Sequence, residues 1–432
     1  MQRIMKGARV TAAVVCSLAA MAGMSACGRT EGGDAKGNGS AVASIDSKPA
    51  KGDLTLWAMG AEGEKLPELV KDFEKENPDV HVKVTSIPWA SAHDKFQTAI
   101  AAGNGPDLAQ MANTWMADFG NAFSTVPGNL SMDDMASGPV QGGKVGGKQL
   151  GVPWYIDTRV LYYRTDLARQ AGWDHAPRTW DELSAMGEDM KRLEGTDFGL
   201  YLNPAGTDNF IADLPFAFSA GASLTDKSGR KWTLNTPEMR KAITYTSNLF
   251  KDGIADVNAD TSAGANMAAF ASGKTPMMLE GPTAIGQVEQ VGGPGMKNKF
   301  TTAPLPKGDK GSVSYSGGSD MVVFKDSKSQ DAAWKMVKWM SRPETQAKWY
   351  KLSTDLPASS KAWEDPELKE DDKLTAFATQ MKSMKTTPSV TTWAQVNASG
   401  DKIMEQINKG AISVDKGLEQ LQSEAESAGM GN

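Results

Sequence analysis

Apolar positions recur along this chain with two periods that take turns. Leu54-Thr55-Leu56-Trp57 reads as a short strand. Leu66, Leu69, Val70 and Phe73 follow at helical spacing, predicting a helix over Lys65 to Asn77. Asn77-Pro78 ends it, because proline cannot continue a helix. Val80, Val82 and Val84 then alternate with His81, Lys83 and Thr85, the signature of a half-buried strand. A second helix is predicted over Ala92 to Ala102, closed by Gly103-Asn104-Gly105-Pro106, and Asp107 to Met111 makes another short strand. This strand–helix rhythm predicts an open, largely parallel α/β sheet, with ligands at the carboxyl ends of its strands.

The alternation continues downstream. Strands are predicted at Val160 to Tyr163, Met277 to Leu279 and Met321 to Phe324. Helices are predicted at Trp180 to Leu193, Pro237 to Asp252 and Gln330 to Met340, the second with proline in its first turn. Trp232-Thr233-Leu234, after the turn Asp226-Lys227-Ser228-Gly229, reads as half of a hairpin. The C-terminal part is mainly helical, and there is no short internal repeat.

The first residues follow a different logic. Arg3, Lys6 and Arg9 precede an apolar run from Val10 to Met24, and small residues lead into Cys27. A charged start, a short apolar run and a small-residue cleavage site read as a secretory signal over residues 1–26. Met24-Ser25-Ala26-Cys27 resembles a bacterial lipobox, although Met24 stands where leucine is commoner. The resemblance implies cleavage before Cys27, a lipid on its thiol, and a protein held at the extracellular face of the cell membrane. Residues 27–51 are dominated by Gly, Ser, Ala, Asp and Lys and read as a flexible tether. About 380 residues remain, enough for two domains of roughly 150–200 residues each.

Composition removes several function classes. The formal charge is −6, and more negative once Arg3, Lys6 and Arg9 are discounted, which argues against a nucleic-acid partner. The only other cysteine, Cys16, lies inside the signal, so a disulfide or cysteine nucleophile in the body is not expected. The three histidines, His81, His93 and His175, are dispersed, leaving little material for a zinc or Ser-His-Asp site. No glycine-rich phosphate loop follows a strand. Neither metal nor cofactor is expected, and monomer is the default.

Aromatic placement carries more. There are 12 Trp, and Trp89, Trp115 and Trp393 fall among polar residues. Flat indole faces match the C–H faces of pyranose rings, while carboxylates, amides and imidazoles fix hydroxyl groups. Trp115 stands beside Asn113, Tyr155 near Asp157, and Trp89 near His93. Trp57, inside an apolar strand, and Trp334, Trp339 and Trp349, at helical spacing, read as core. Glu62 lies in the Gly60–Gly63 loop after the first strand, and Glu280 follows the apolar strand Met277 to Leu279. Either carboxylate suits a cleft.

Together these residues resemble the extracellular solute-binding proteins of carbohydrate ABC importers, the maltose-binding-protein-like group. The most specific stretch is Gly151-Val152-Pro153-Trp154-Tyr155-Ile156-Asp157-Thr158-Arg159-Val160-Leu161-Tyr162-Tyr163. Ala102 to Leu108, Met277 to Pro282, Ala303 to Gly308, Gly317-Gly318 and Leu356-Pro357-Ala358 fit in order and spacing. The resemblance implies a periplasmic-binding-protein-like α/β fold, with two α/β lobes joined by hinge strands around a ligand cleft. Lobe 1 is expected at 52–157 and 280–338, and lobe 2 at 158–279 and 339–432. Carried over by position, the ligand residues are Glu62, His93, Asn113, Trp115, Tyr155, Asp157, Glu280, Gly318 and the stacking Trp393; Trp89 joins them on its polar setting alone. Two departures stand out. Thr283 replaces a common Trp after Gly281-Pro282, and polar Asn203 and Asp208 stand where many relatives carry more aromatic residues, so these two are expected to hydrogen-bond the ligand in place of stacking.

The expected function is capture of an oligosaccharide, a disaccharide or slightly longer, and its delivery to ABC permease subunits by hinge-bending closure, without catalysis. The alternatives are a secreted glycoside hydrolase using Glu280 and Asp157, and a binding protein for a non-sugar solute.

Overall fold

The computed structural model describes residues 44–431, so the signal segment, Cys27 and all but the end of the tether lie outside the described residues. Strand β1 (Gly52–Met59) buries Leu54, Leu56 and Ala58, and lies between β2 (Val80–Ile87) and β3 (Leu108–Ala112), parallel to both. Helix Gly60–Glu76 joins β1 to β2 and buries Leu66, Leu69, Val70 and Phe73. It starts directly at the strand end rather than at Lys65, so the expected Gly60–Gly63 loop is its first turn. Gly60, at φ 51°, makes the bend. Helix Trp89–Ala101 likewise begins earlier than Ala92, immediately after Pro88.

A small hairpin of β4 (Lys144–Val145) and β5 (Lys148–Gln149) precedes β6 (Gly151–Asp157). The chain then leaves the first sheet. β7 (Val160–Arg164) pairs antiparallel with β8 (Met277–Glu280) and β9 (Phe300–Ala303) to form the second. Along β7, Val160 and Tyr162 face one apolar core and Leu161 another, the alternation a strand imposes. β10 (Ser314–Val323) brings the chain back, pairing antiparallel with β6 and β3. β11 (Leu356–Pro357) lies on the far side of β6, and β12 (Met384–Thr386) runs beside Ser314–Ser316. The first sheet is therefore ordered β11-β6-β10-β3-β1-β2 and the second β8-β7-β9.

The first sheet is less parallel than the sequence rhythm predicts. Parallel pairing holds for β2-β1-β3, where helices make the crossovers, and for the β10–β12 contact. β10 pairs antiparallel with β6 and β3, and β11 with β6, because β6 carries the chain out of this sheet and β10 brings it back from the second. Helices Gly60–Glu76 and Gln330–Met340 cover one face of this sheet, and helix Trp89–Ala101 covers the other. The long C-terminal helices Trp393–Asn408 and Val414–Ala428 pack with Asn209–Ala220 and Pro237–Lys251 in the second lobe. Among the described residues no helix is long and apolar enough to cross a membrane.

Pairing moves the lobe boundaries. Residues 280–313, expected in lobe 1, belong with the second sheet: β9 pairs with β7, and Ala284, Val288 and Phe300 share a core with Tyr162. Residues 339–357, expected in lobe 2, lie mainly with the first sheet, where Trp339, Met340 and Trp349 join its core and β11 pairs β6. The chain thus crosses after Asp157, along the start of β10, and after Pro357. The end of the expected tether is also part of the body. Ile45 and Ala50 are buried, the Asn129 side chain pairs with both backbone groups of Ile45, and Ala50 N–H donates to Asn77 Oδ1.

The middle crossing depends on a bare backbone. Gly318 has φ 113°, and a Cβ built there would lie 2.3 Å from the Tyr155 carbonyl oxygen. We expect Gly318→Ala to destabilise the fold by about 2–4 kcal/mol, combining left-handed strain with overlap. Gly103→Ala, also at positive φ but facing open space, should lose only about 1–2 kcal/mol. Urea unfolding of the two variants separates strain from overlap.

Candidate functional site: a cleft between two sheets

The carboxyl ends of β1 and β2 and the crossing strands converge on one cleft. It contains two adjoining hollows, of ≈ 290 Å³ and ≈ 280 Å³, which share Arg159 and Glu280. Glu62, Trp89, Tyr155, Asp157, Gly318 and Thr283 line the first. Asn203, Asp208, Tyr201 and Tyr315 line the second.

The first hollow is organised by a hydrogen-bond relay. Met59 N–H donates to Gln110 Oε1 (2.7 Å), which orients the buried amide at the end of β1. The Gln110 amide and the Ser319 hydroxyl both donate to Tyr155 Oη (3.1 Å each). Tyr155 in turn donates to Glu62 Oε1 at 2.8 Å, and Trp89 Nε1 donates to Glu62 Oε2 at 3.4 Å. Burial and the Glu62 charge push the Tyr155 phenol well above its ordinary range, so it stays a donor. Glu62 sits in the first turn of its helix, where the backbone dipole favours negative charge.

The floor is an ion pair. Arg159 Nη1 donates to both carboxylate oxygens of Asp157 (2.6 and 2.7 Å), and its guanidinium lies 5.3 Å from the Tyr315 ring centre. Burial is the largest influence on Arg159 and opposes its charge, but Asp157, Tyr315 and Glu280 together hold the guanidinium above its usual value. Glu280 Oε1 accepts from Asn266 Nδ2 at 2.6 Å; burial raises its carboxyl, with Arg159 opposing. Asp208, at φ 62°, opens helix Asn209–Ala220 and donates its N–H to Asp401.

Three expected ligand residues, His93, Asn113 and Trp115, are not among those lining these hollows. Trp115 meets Trp89 edge-on at 5.8 Å and His93 at 5.2 Å. His93 Nε2 pairs with Asp118 at 3.0 Å, and the Asn113 amide donates to the Ser316 carbonyl. Trp393 is elsewhere. It is 2 % exposed and packs between Trp232 and Phe210 in the helical core of the second lobe. Its polar neighbours in sequence are the loop before the helix, while the indole turns inward, so it is no stacking platform in this structure.

Sequence reasoning missed Arg159, Tyr315 and Asp355. Arg159 lies two residues after Asp157, and a cation beside a cleft carboxylate was a usable signal. Asp355 immediately precedes the Leu356-Pro357 crossing. Among the described residues no group of three or more His, Cys, Asp or Glu is placed to hold a metal.

The matching family model is that of the bacterial extracellular solute-binding proteins, over residues 58–347. This chain belongs to that family. Its members are binding proteins. The solute-binding protein is 27 % identical to the diacetylchitobiose binding protein DasA of Streptomyces coelicolor, over 79 % of this chain and 81 % of that one. It is 25 % identical to a maltotriose-binding protein of Pyrococcus abyssi, over 83 % and 79 %. In structure it resembles the sugar-binding protein MalE of Xanthomonas citri (TM-score 0.81, 31 % identity, covering 87 % of this chain and 97 % of that one). It also resembles the GacH receptor of Streptomyces glaucescens (TM-score 0.77, 27 % identity, 88 % and 98 %), solved unliganded and with acarbose.

Asp355 links the cleft to pH. Burial, then the Glu62 charge, pushes its carboxyl up to about 8. An unfolded Asp titrates near 4, so between about pH 4 and 8 the folded solute-binding protein holds a proton that the unfolded chain releases. That contribution is complete below about pH 4 and is lost as pH rises through about 8. Asp355→Asn should remove this part of the slope, narrowing or reversing its stability deficit as pH rises. Melting temperatures of both proteins from pH 5 to 8 test this; parallel curves would contradict it.

Proposed function

We propose that this solute-binding protein captures an oligosaccharide, a disaccharide or slightly longer, and delivers it to the permease subunits of an ABC importer. One observation carries the reading: the cleft joins the exposed indole of Trp89 to a row of pre-oriented hydrogen-bonding groups on two lobes. Sugars need this pairing, an apolar face against ring C–H groups and fixed acceptors and donors for hydroxyls. The named ligands of the relatives support it. Diacetylchitobiose, maltotriose and acarbose mark an oligosaccharide rather than a peptide or metal cargo.

The mechanism needs no covalent step. The three crossings bend, the lobes close on the ligand, and groups from both sides complete its hydrogen bonds. The closed form then becomes the dominant population and is what the permease engages. Hydrolysis is the weaker reading, because both oxygens of Asp157 are engaged by Arg159, which leaves that carboxylate poorly placed to attack carbon or activate water. The lipobox-like run adds a lipid anchor on Cys27 and a monomer tethered at the outer face of the cell membrane.

Calorimetric titration with α- and β-linked di- and trisaccharides should give saturable binding to one linkage series. Trp89→Ala should weaken it roughly 10–100-fold, the scale of one lost aromatic platform, with the fold intact. Heat-silent titrations across the panel would overturn the sugar reading. Asp157→Asn should weaken binding without any change in hydrolysis, since neither protein should release monosaccharide from the same panel. Monosaccharide release by the wild type, lost in Asp157→Asn, would establish the enzyme instead.

A further inference from the structure

The geometry points to Gly60, a residue with no side chain, as the positioning residue for the Trp89 platform; the inference rests on reading the cleft as a sugar site. Trp89 is one of two large apolar side chains that are strongly exposed among the described residues, at 39 %. It stands on the first turn after β2, and its indole reaches across to the first turn after β1. Two directed contacts hold it there: the long hydrogen bond to Glu62 (3.4 Å) and the edge of Trp115 (5.8 Å). A bare Cα makes that reach possible. A Cβ on Gly60 would lie 2.5 Å from Trp89 Cδ1 and 2.7 Å from Nε1, and 3.5 Å from Glu62 Oε2. No real Cβ contact is that short, so any side chain at Gly60 expels the indole from its present place and strains its bond to Glu62. The left-handed φ of 51° already favours glycine at this bend. That backbone constraint is separable from the indole overlap, because Gly103 has φ 66° and nothing within 4 Å of its would-be Cβ.

The test uses the full chain in five forms: wild type, Gly60→Ala, Gly103→Ala, Trp89→Ala and the Gly60→Ala/Trp89→Ala double variant. Oxidation by N-bromosuccinimide, followed at Trp89 by peptide mass spectrometry, reads the indole without any ligand. Gly60→Ala should speed oxidation at Trp89 at least about threefold, while Gly103→Ala leaves it within about 1.5-fold, as expected for a local contact. With maltotriose and diacetylchitobiose as probes, Gly60→Ala should weaken binding at least about tenfold, and the double variant should match Trp89→Ala within about twofold, the non-additivity of a shared mechanism. Unchanged oxidation in Gly60→Ala, an equal change in Gly103→Ala, or multiplicative losses in the double variant would each overturn the assignment. If Gly60→Ala fails to fold, removing the indole should restore folding in the double variant, and a double variant that also fails overturns it. If neither probe binds the wild type, the sugar reading loses support while the oxidation comparison still decides the role of Gly60.

Discussion

The passage of β10 alongside β6 is the constraint on which the cleft depends. These two strands sit side by side within the first sheet, and each continues toward the second. Their ladder sets Gly318 against Ile156 and Gly317 against Asp157. At that point the backbone of β10 lies so close to the Tyr155 carbonyl that no side chain fits. Tight pairing there places Tyr155 and Asp157 at the cleft floor, and the strand continuing past them sets Tyr315 beneath Arg159. The bulge between Ser319 and Asp320 lets β10 adjust its register while Ser319 still reaches Tyr155.

Around that floor the electrostatics are deliberately unequal. Glu62, Asp157, Glu280, Asp208 and Asp355 line the two hollows with Arg159 as the one cation among the lining residues, and Asp157 already occupies it. The remaining carboxyl groups are stabilised by directed donors: Tyr155 and Trp89 for Glu62, Asn266 for Glu280, Asn397 for Asp208, Trp349 for Asp355. Such groups act as fixed acceptors whose orientation is set before a ligand arrives, so less ordering is left for binding to impose. Lobe closure in this setting gathers like charges in lower dielectric. Hydroxyl donors from a sugar offset that penalty, which couples ligand binding to closure.

Much of this was legible in the chain itself. Period-two and period-3.6 patterns mark local burial, so the βαβαβ opening, the strand at Met277 and the helix at Gln330 were recoverable. Motif order located Tyr155, Asp157, Gly318 and Glu280 near one another although they are far apart in sequence. Trp393 shows the limit. Polar neighbours made it look exposed, but a helix N-terminal residue points wherever the next packed helix lies, and here that is between Trp232 and Phe210. Arg159 shows the converse: its place two residues after Asp157 was a usable signal, but only the fold shows both carboxylate oxygens held by its Nη1.

Local physics therefore determined which segments are strand or helix, because burial periodicity and turn chemistry act over a few residues. It also determined the family, because glycine and proline at the crossings and the hydrogen-bonding residues beside them keep their order along the chain. Only the tertiary structure decided that residues 280–313 stay with the second lobe, that Ile45 and Ala50 are buried on the body, and which tryptophans face the cleft. Those outcomes rest on non-local pairing and packing, in which a strand takes whichever edge is free and an indole whichever cavity is empty. Neither edge nor cavity exists until the whole chain has folded.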